Sequence, residues 1–348
     1  MPTTPRQVIT GAAALALTLL SFVGGASRVG AAEPRTPAFE LHALGVLGGD
    51  TDTNLSCFLL GRPGATDLVM IDAGSIMSGL TRWLEGKGEL QPDATPSERA
   101  RAALDVFGRL RGVFLTHSHL DHWGGLADDS TLPVALALRG HSSLPIFGLP
   151  ETLATLRDHL FRSDLWADFT AVPARNPALT LRPIGDADAG GFHVQAIRVN
   201  HAVPGAAFLI RAGDAAYLHF GDTAATQAAW DAARPLLASK ALRAVSLEMS
   251  FPASQEALAE SSGHLTRSSF LLELAKLAGV TSTLDARKMS DAEAVALATQ
   301  LAPVFRDCPV FVIHIKALGY DEVRKEVEAL QKAGLNLILP EQGRSYRF

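Results

Sequence analysis

The chain has 348 residues, with 31 Lys or Arg, 36 Asp or Glu, 11 His and 2 Cys, and a formal net charge of −5. Its 47% hydrophobic and 19% charged content supports a sizeable core and excludes a disordered chain. Two cysteines cannot staple this length, and the acidic balance argues against a nucleic-acid polymer as partner, because phosphate neutralisation needs a basic surface.

An apolar, small-residue run from Val8 to Val23 follows Arg6, and residues 1–32 hold Arg6 and Arg28 but no acid. The run is too short and too rich in Ala and Gly for a membrane span. With cleavage candidates at Ala26 and Ala31–Ala32, residues 1–32 read as a secretory signal peptide. Its removal takes away two positive charges, leaving residues 33–348 at −7. The expectation is an exported protein, periplasmic or secreted, with no stable membrane anchor after cleavage. Export would permit a Cys57–Cys308 disulfide, but two buried free thiols are the preferred reading.

Past Phe39, short apolar runs alternate with Gly and Asp. Leu44–Leu47, Leu55–Leu60 and Leu68–Ile71 read as strands opening an antiparallel sheet. Asp72–Gly74 ends a strand, a helical stretch with Trp83 follows, and residues 86–97 form a polar loop. Glu98–Leu110 has helical spacing, and Gly112–Leu115 is an apolar strand running straight into Thr116-His117. Beyond it, helical patterns at Glu151–Leu160, Thr226–Leu237, Ser268–Leu277, Asp291–Leu301 and Tyr320–Ala333 mix with strand patterns. The strands are Phe192–Val199, Ala207–Arg211, Ala216–His219, Ala244–Leu247 and Val310–Ile315. No repeat or linker divides residues 33–348, which read as a single α/β domain.

The strongest chemical signal is His117-Ser118-His119-Leu120-Asp121-His122. Three imidazoles and a carboxylate fall within six residues directly after a strand, where a loop can aim them at one point. These are ligands for a borderline cation such as zinc. Further candidates sit with later strands: His201 after Phe192–Val199, Asp222 after Ala216–His219, and His314 in Val310-Phe311-Val312-Ile313-His314-Ile315-Lys316.

The six-residue motif resembles the HxHxDH signature of the metallo-β-lactamase-fold hydrolases. The resemblance implies a four-layer αββα sandwich holding two divalent metals at one edge of the paired sheets. Zinc suits the N/O ligand set, which would also accept manganese or iron. Carried onto this sequence, His117, His119 and His201 bind the first metal, Asp121, His122 and His314 the second, and Asp222 bridges them. The β-lactamases of this fold lack such a bridging carboxylate, which turns the reading away from antibiotic hydrolysis.

A narrower resemblance rests on His117–Leu126, Asn54-Leu55-Ser56, Leu247-Glu248-Met249-Ser250-Phe251-Pro252, Ser262-Gly263-His264-Leu265-Thr266 and His314-Ile315-Lys316. In this order they look like the class II cyclic-nucleotide phosphodiesterases, over most of the chain after about residue 40. Trp123, Asp128-Asp129 and Ala317 depart from that family's usual residues. The resemblance implies hydrolysis of 3′,5′-cyclic AMP or cyclic GMP to the 5′-nucleotide by a hydroxide bound to a binuclear metal site, with Asp121 both ligand and catalytic. His264, in a loop before an amphipathic helix, could donate a proton to the leaving alkoxide. Glu248 could fix its tautomer, as in the similar Glu-plus-His arrangement of tRNase Z.

The alternative is another hydrolase of this fold, acting on a different phosphodiester, a thioester or a lactone. A binding protein without catalysis would need a broken ligand set. Asp72 could hydrogen-bond a metal-binding His or simply form a turn. Trp123, Trp166, Phe161, Phe169 and Phe251 could stack on a purine or fill the core. A homodimer is compatible with the sequence, which does not fix an oligomeric state.

Overall fold

Alternation of side chains along strands explains why this chain folds into layers. The computed structural model describes residues 35–49, 51 and 53–348, together with Met1, so the stretch read above as a signal peptide lies, Met1 apart, outside the described residues. The first half of the chain supplies β1 (Glu40–Gly45), β2 (Leu47–Gly48), β3 (Cys57–Gly61), β4 (Leu68–Ile71), β5 (Leu110–Phe114), β6 (Leu144–Gly148) and β7 (Leu179–Pro183). The second half supplies β8 (Asp186–Ala189), β9 (Phe192–Val199), β10 (Gly205–Ala212), β11 (Ala215–His219), β12 (Leu242–Glu248), β13 (Val310–Ile313), β14 (Ile315–Lys316), β15 (Leu337–Ile338) and β16 (Ser345–Arg347).

One sheet runs β16-β1-β3-β4-β5-β6-β7 and the other β15-β13-β12-β11-β10-β9-β8, while β14 and β2 form a separate short pair. The pairs β4–β5, β5–β6 and β6–β7 are parallel, as are β11–β12, β12–β13 and β13–β15. Parallel neighbours need crossovers. Here these carry α1 (Ile76–Gly86), α2 (Pro96–Phe107), α3 (Gly124–Asp128), α4 (Thr131–Leu138) and α5 (Pro150–Thr155) in the first half. The second half contributes α6 (Ala228–Ala238), α7 (Glu256–Ser262), α8 (Arg267–Ala278), α9 (Asp291–Phe305) and α10 (Tyr320–Lys332).

Along β3 and β4, Cys57, Leu59, Leu68 and Met70 join one core with Trp83 of α1 and Phe107 of α2. The intervening Phe58, Leu60, Val69 and Ile71 join a second core with Phe208, Ile210, Tyr217 and Phe311 of the other sheet. The opposite faces of β10 to β13, with Leu209, Leu218, Leu247 and Val312, pack on Trp230, Phe270, Leu301 and Val327 of the second-half helices. Period-two alternation in both sheets thus yields three cores and four layers, the αββα sandwich. Cys57 and Cys308 are buried free thiols in the two different outer cores, with the sheets between them, so no disulfide joins them.

Helix starts follow their sequence signals. Thr95 and Glu98 form a capping box at α2, as do Ser290 and Glu293 at α9. Other elements depart from the sequence pattern. Leu110 opens β5 rather than closing α2, because Gly108 ends the helix. The Glu151–Leu160 helix is Pro150–Thr155 followed by a wider π turn over Leu156–Leu160. The Val310–Ile315 strand breaks at His314, which adopts φ 61.

Replacing Phe208, buried between the sheets, with Ala should lower unfolding free energy by about 3–5 kcal/mol in urea titrations. Val304→Ala, on the exposed face of α9, should stay within about 0.5 kcal/mol.

Candidate metal centre

Strand ends deliver the side chains. Asp72 follows β4, His117 follows β5 by way of Leu115 and Thr116, His201 follows β9, and Asp222 follows β11 by way of Phe220 and Gly221. Glu248 is the last residue of β12, and His314 comes directly after β13. Asp121 and His122 lie in a single 3₁₀ turn, Leu120–His122, which brings them back toward the strand end they left.

Two of these residues sit in strained backbone: Asp72 at φ 52 and His314 at φ 61. Such conformations cost roughly 1–3 kcal/mol for a non-glycine residue and persist where the surroundings over-determine them. The His314 amide donates to the Val46 carbonyl at 2.8 Å, and the chain then pairs with β2 as β14. Gly48 of β2 is required there, because a Cβ would lie 2.5 Å from the His314 ring. A Cβ at Gly221 would likewise meet the Thr116 hydroxyl at 2.3 Å.

The side chains gather into two clusters. Ligand atoms of His117, His119, His201 and Asp222 lie within 4.8 Å of one another, as do those of Asp121, His122 and His314. Asp222 faces both. Its Oδ2 is 3.6 Å from His117 Nε2 and 3.7 Å from His201 Nε2. Its Oδ1 is 3.2 Å from His122 Nε2 and 3.1 Å from His314 Nε2. His201 Nε2 and His119 Nδ1 approach to 3.1 Å, and Asp121 Oδ2 lies 3.1 Å from His314 Nε2. Asp121 Oδ2 also accepts from the Gly49 amide at 2.9 Å, with Lys316 Nζ at 4.0 Å.

Four of the five imidazoles are held by their outward nitrogen. His122 Nδ1 donates to Asp72 at 2.7 Å, and Asp72 also accepts from the Thr116 amide and hydroxyl at 2.8–3.0 Å. His117 Nδ1 reaches Thr116 Oγ1 at 3.1 Å, His201 Nδ1 donates to the Gly263 carbonyl at 2.8 Å, and His314 Nδ1 reaches Ser250 Oγ at 3.0 Å. Each bond turns the Nε2 lone pair toward the centre, which is how imidazoles are oriented around a cation.

Burial, together with the neighbouring imidazoles, holds His117 well below the ordinary histidine range, and burial likewise depresses His119 and His201. The direction favours the neutral imidazole, the form that binds metal. Burial pulls His122 down too, but Asp222 and Asp72 overcome it and raise it. Burial pushes Asp222 up, yet His314, His122 and His117 hold it well below the usual carboxylate range. His117 Nε2, His122 Nε2 and Asp222 Oδ1 are buried without a hydrogen-bond partner. Even at 3.2 Å, His122 Nε2 and Asp222 Oδ1 are out of line for one. Orphaned ligand atoms that converge around a buried carboxylate fit a divalent cation.

Beside the clusters, Glu248 is fully buried. It accepts from the Thr223 amide at 2.7 Å, the Leu265 amide at 3.1 Å and His264 Nδ1 at 3.0 Å, and from the Ser250 hydroxyl. Through Ser250 the same carboxylate also supports His314. Burial lowers His264, but Glu248 and then Asp222 raise it above the ordinary histidine value. His264 also falls within ligand distance of Asp222 and His314. The nitrogen it turns toward Asp222, at 3.9 Å, is the Nδ1 that Glu248 holds, whereas His117, His122, His201 and His314 face Asp222 with Nε2. Ser250 was not assigned from sequence. Its signal was the period-two spacing from Glu248, which puts both side chains on one side of the chain.

Residues 83–287, more than half of the chain, match the family described as Beta-lactamase superfamily domain. The chain belongs to this superfamily. A 3′,5′-cyclic-nucleotide phosphodiesterase of Aliivibrio fischeri is 27% identical over 340 residues, covering 89% of this chain and 93% of that one. Unliganded yeast PDE1 shares the fold, with a TM-score of 0.66 and 19% identity over 90% of this chain and 100% of that one. The metallo-beta-lactamase fold protein YhfI from Bacillus subtilis follows at 0.56 and 18%, again over 90% and 100%. The superfamily fold implies use of divalent metal, and the His/Asp clusters are placed to hold it.

The aromatic candidates divide. Phe161 is buried in an outer core with Phe169 packed against it. Phe251 meets the His264 ring edge-on at 5.6 Å between centroids. Trp123 and Trp166 line a cavity of about 640 Å³ that includes Asp121.

Asp72→Asn removes a charge that orients His122 without altering volume. It should weaken zinc binding about 10–100-fold in chelator competition while the far-UV spectrum stays that of the folded protein.

Proposed function

We propose that this protein is a 3′,5′-cyclic-nucleotide phosphodiesterase that hydrolyses cyclic AMP or cyclic GMP to the 5′-monophosphate with two divalent cations, zinc being the preferred pair. The observation that carries the reading is Asp222, whose two carboxylate oxygens face different ligand clusters, as a bridge between two metals requires. The name of the Aliivibrio fischeri relative, similar along most of both chains, supports the same activity. We extend the proposal to export, on the charge and apolar pattern of residues 1–32.

His117, His119, His201 and Asp222 would hold one cation, and Asp121, His122, His314 and Asp222 the other. When bound, the cations supply charge for the phosphate oxygens and acidify water. The chain's own groups do the rest. Asp72, Thr116, Gly263 and Ser250 keep the ligand imidazoles aimed inward. The reaction adds water across the P–O3′ bond, so the departing 3′ oxygen needs a proton. We assign that role to His264 as an imidazolium: Glu248 holds the Nδ1 hydrogen, and the Nε2 hydrogen would be the one donated. An acidic chain can take an anionic substrate here because cations and Lys316 set the local charge.

Product analysis tests this. Cyclic AMP and cyclic GMP should give only the 5′-monophosphate, activity should vanish with chelator, and zinc should restore it. Turnover of a thioester or lactone with none of either cyclic nucleotide would overturn the proposal. His264→Gln should lower kcat on a cyclic nucleotide by about 10²–10⁴-fold. It should cost far less on bis(p-nitrophenyl) phosphate, whose leaving group needs no proton. Equal losses on both would remove His264 from the acid role.

A further inference from the structure

The metal clusters account for the phosphate, but not for the apolar surface next to them. Leu120, Leu165 and Trp166 are 65%, 67% and 43% exposed, and all three line the cavity of about 640 Å³ that touches Asp121. Large apolar side chains gathered in the open, rather than scattered, mark a surface that something covers. The cavity's size falls within the ordinary range for small-ligand sites.

Both of its indoles are fixed by their ring N–H. Trp123 Nε1 donates to the Ser118 carbonyl at 2.9 Å, and Trp166 Nε1 to Ser130 Oγ at 3.3 Å. What they offer a ligand is therefore ring surface, which suits a flat aromatic group. The cavity wall from Leu120 to Asp128 is one run of the chain, the 3₁₀ turn followed by α3. It places the metal-site residue Asp121 and the carboxylate-bearing Asp128 at the same opening. The neighbouring Asp129 is engaged elsewhere, accepting from the Met77 amide at 3.1 Å. Among the described residues the Asp128 carboxylate has no hydrogen bond or salt bridge, and Asp128 is exposed. An aromatic-walled cavity with an open carboxylate, continuous with the candidate metal site at Asp121, has the layout of a nucleobase site.

We infer that this cavity holds the purine base of the substrate and that Asp128 reads its edge, favouring guanine. The inference rests on the phosphodiesterase reading above. Guanine presents two adjacent donors, N1–H and the 2-amino group, to a carboxylate, which can accept both at once. Adenine presents one donor beside the N1 lone pair, which a carboxylate oxygen repels. A good bidentate pair discriminates by ~10-fold or more.

The test compares kcat/KM for cyclic GMP and cyclic AMP in the zinc-loaded full chain, with bis(p-nitrophenyl) phosphate as a substrate that carries no purine. The wild type should prefer cyclic GMP by about 10-fold. Asp128→Asn should reduce the cyclic GMP to cyclic AMP ratio by a similar factor, mainly through KM. Trp166→Ala should raise KM for both nucleotides together. A wild-type preference for cyclic AMP, or an unchanged ratio in Asp128→Asn, overturns the base assignment while the phosphodiesterase reading stands. Wild-type turnover of bis(p-nitrophenyl) phosphate with none of either cyclic nucleotide overturns both.

Discussion

The structure depends on one buried carboxylate. Asp222 is 2% exposed, and each of its oxygens faces a different pair of imidazoles. A charge so far from water is strongly unfavourable unless opposite charge and hydrogen bonds compensate it. That requirement explains much of what surrounds it. Gly221 has no side chain because Thr116 occupies the space, and Thr223 is tied to Glu248 through its amide. Asp72 in turn fixes His122 on the far side. Removing any of these leaves the carboxylate with less to balance it.

The sandwich makes the arrangement achievable. The parallel strands β4 and β5 of one sheet, and β11, β12 and β13 of the other, end at the same place. Loops at strand ends can carry strained, functional residues because the strands beneath are locked by burial on both faces. Neither sheet alone surrounds the site: the His117–His122 segment comes from the first, and Asp222, Glu248 and His314 come from the second. Each cluster draws residues from both sheets, so core packing between the sheets sets the spacing within each cluster, which links inter-sheet side chains such as Phe208 to the chemistry.

How much of this could be read from sequence varied with locality. His117, His119, Asp121 and His122 were legible because one strand and one turn carry them. His201, Asp222 and His314 were legible only as strand-end residues in a familiar order, since their convergence is a tertiary fact. Ser250 escaped because its spacing from Glu248 shows only a shared side of the chain, and its role appears once His264 and His314 are seen beside it. The break at His314 also escaped, because Val310–Ile315 has unbroken strand propensity and only the docking of β14 onto β2 forces the turn. β6 and β7 carry Pro145 and Pro183, which argue against strands in isolation, although both pair along their length.

The central claim is that Asp222 joins two cation sites, and anomalous scattering tests it most directly. Crystals equilibrated with zinc and measured at the zinc edge should show two peaks flanking the Asp222 carboxylate, one among His117, His119 and His201 and one among Asp121, His122 and His314. A single peak at saturating zinc, with both Asp222 oxygens turned toward it, would contradict the account.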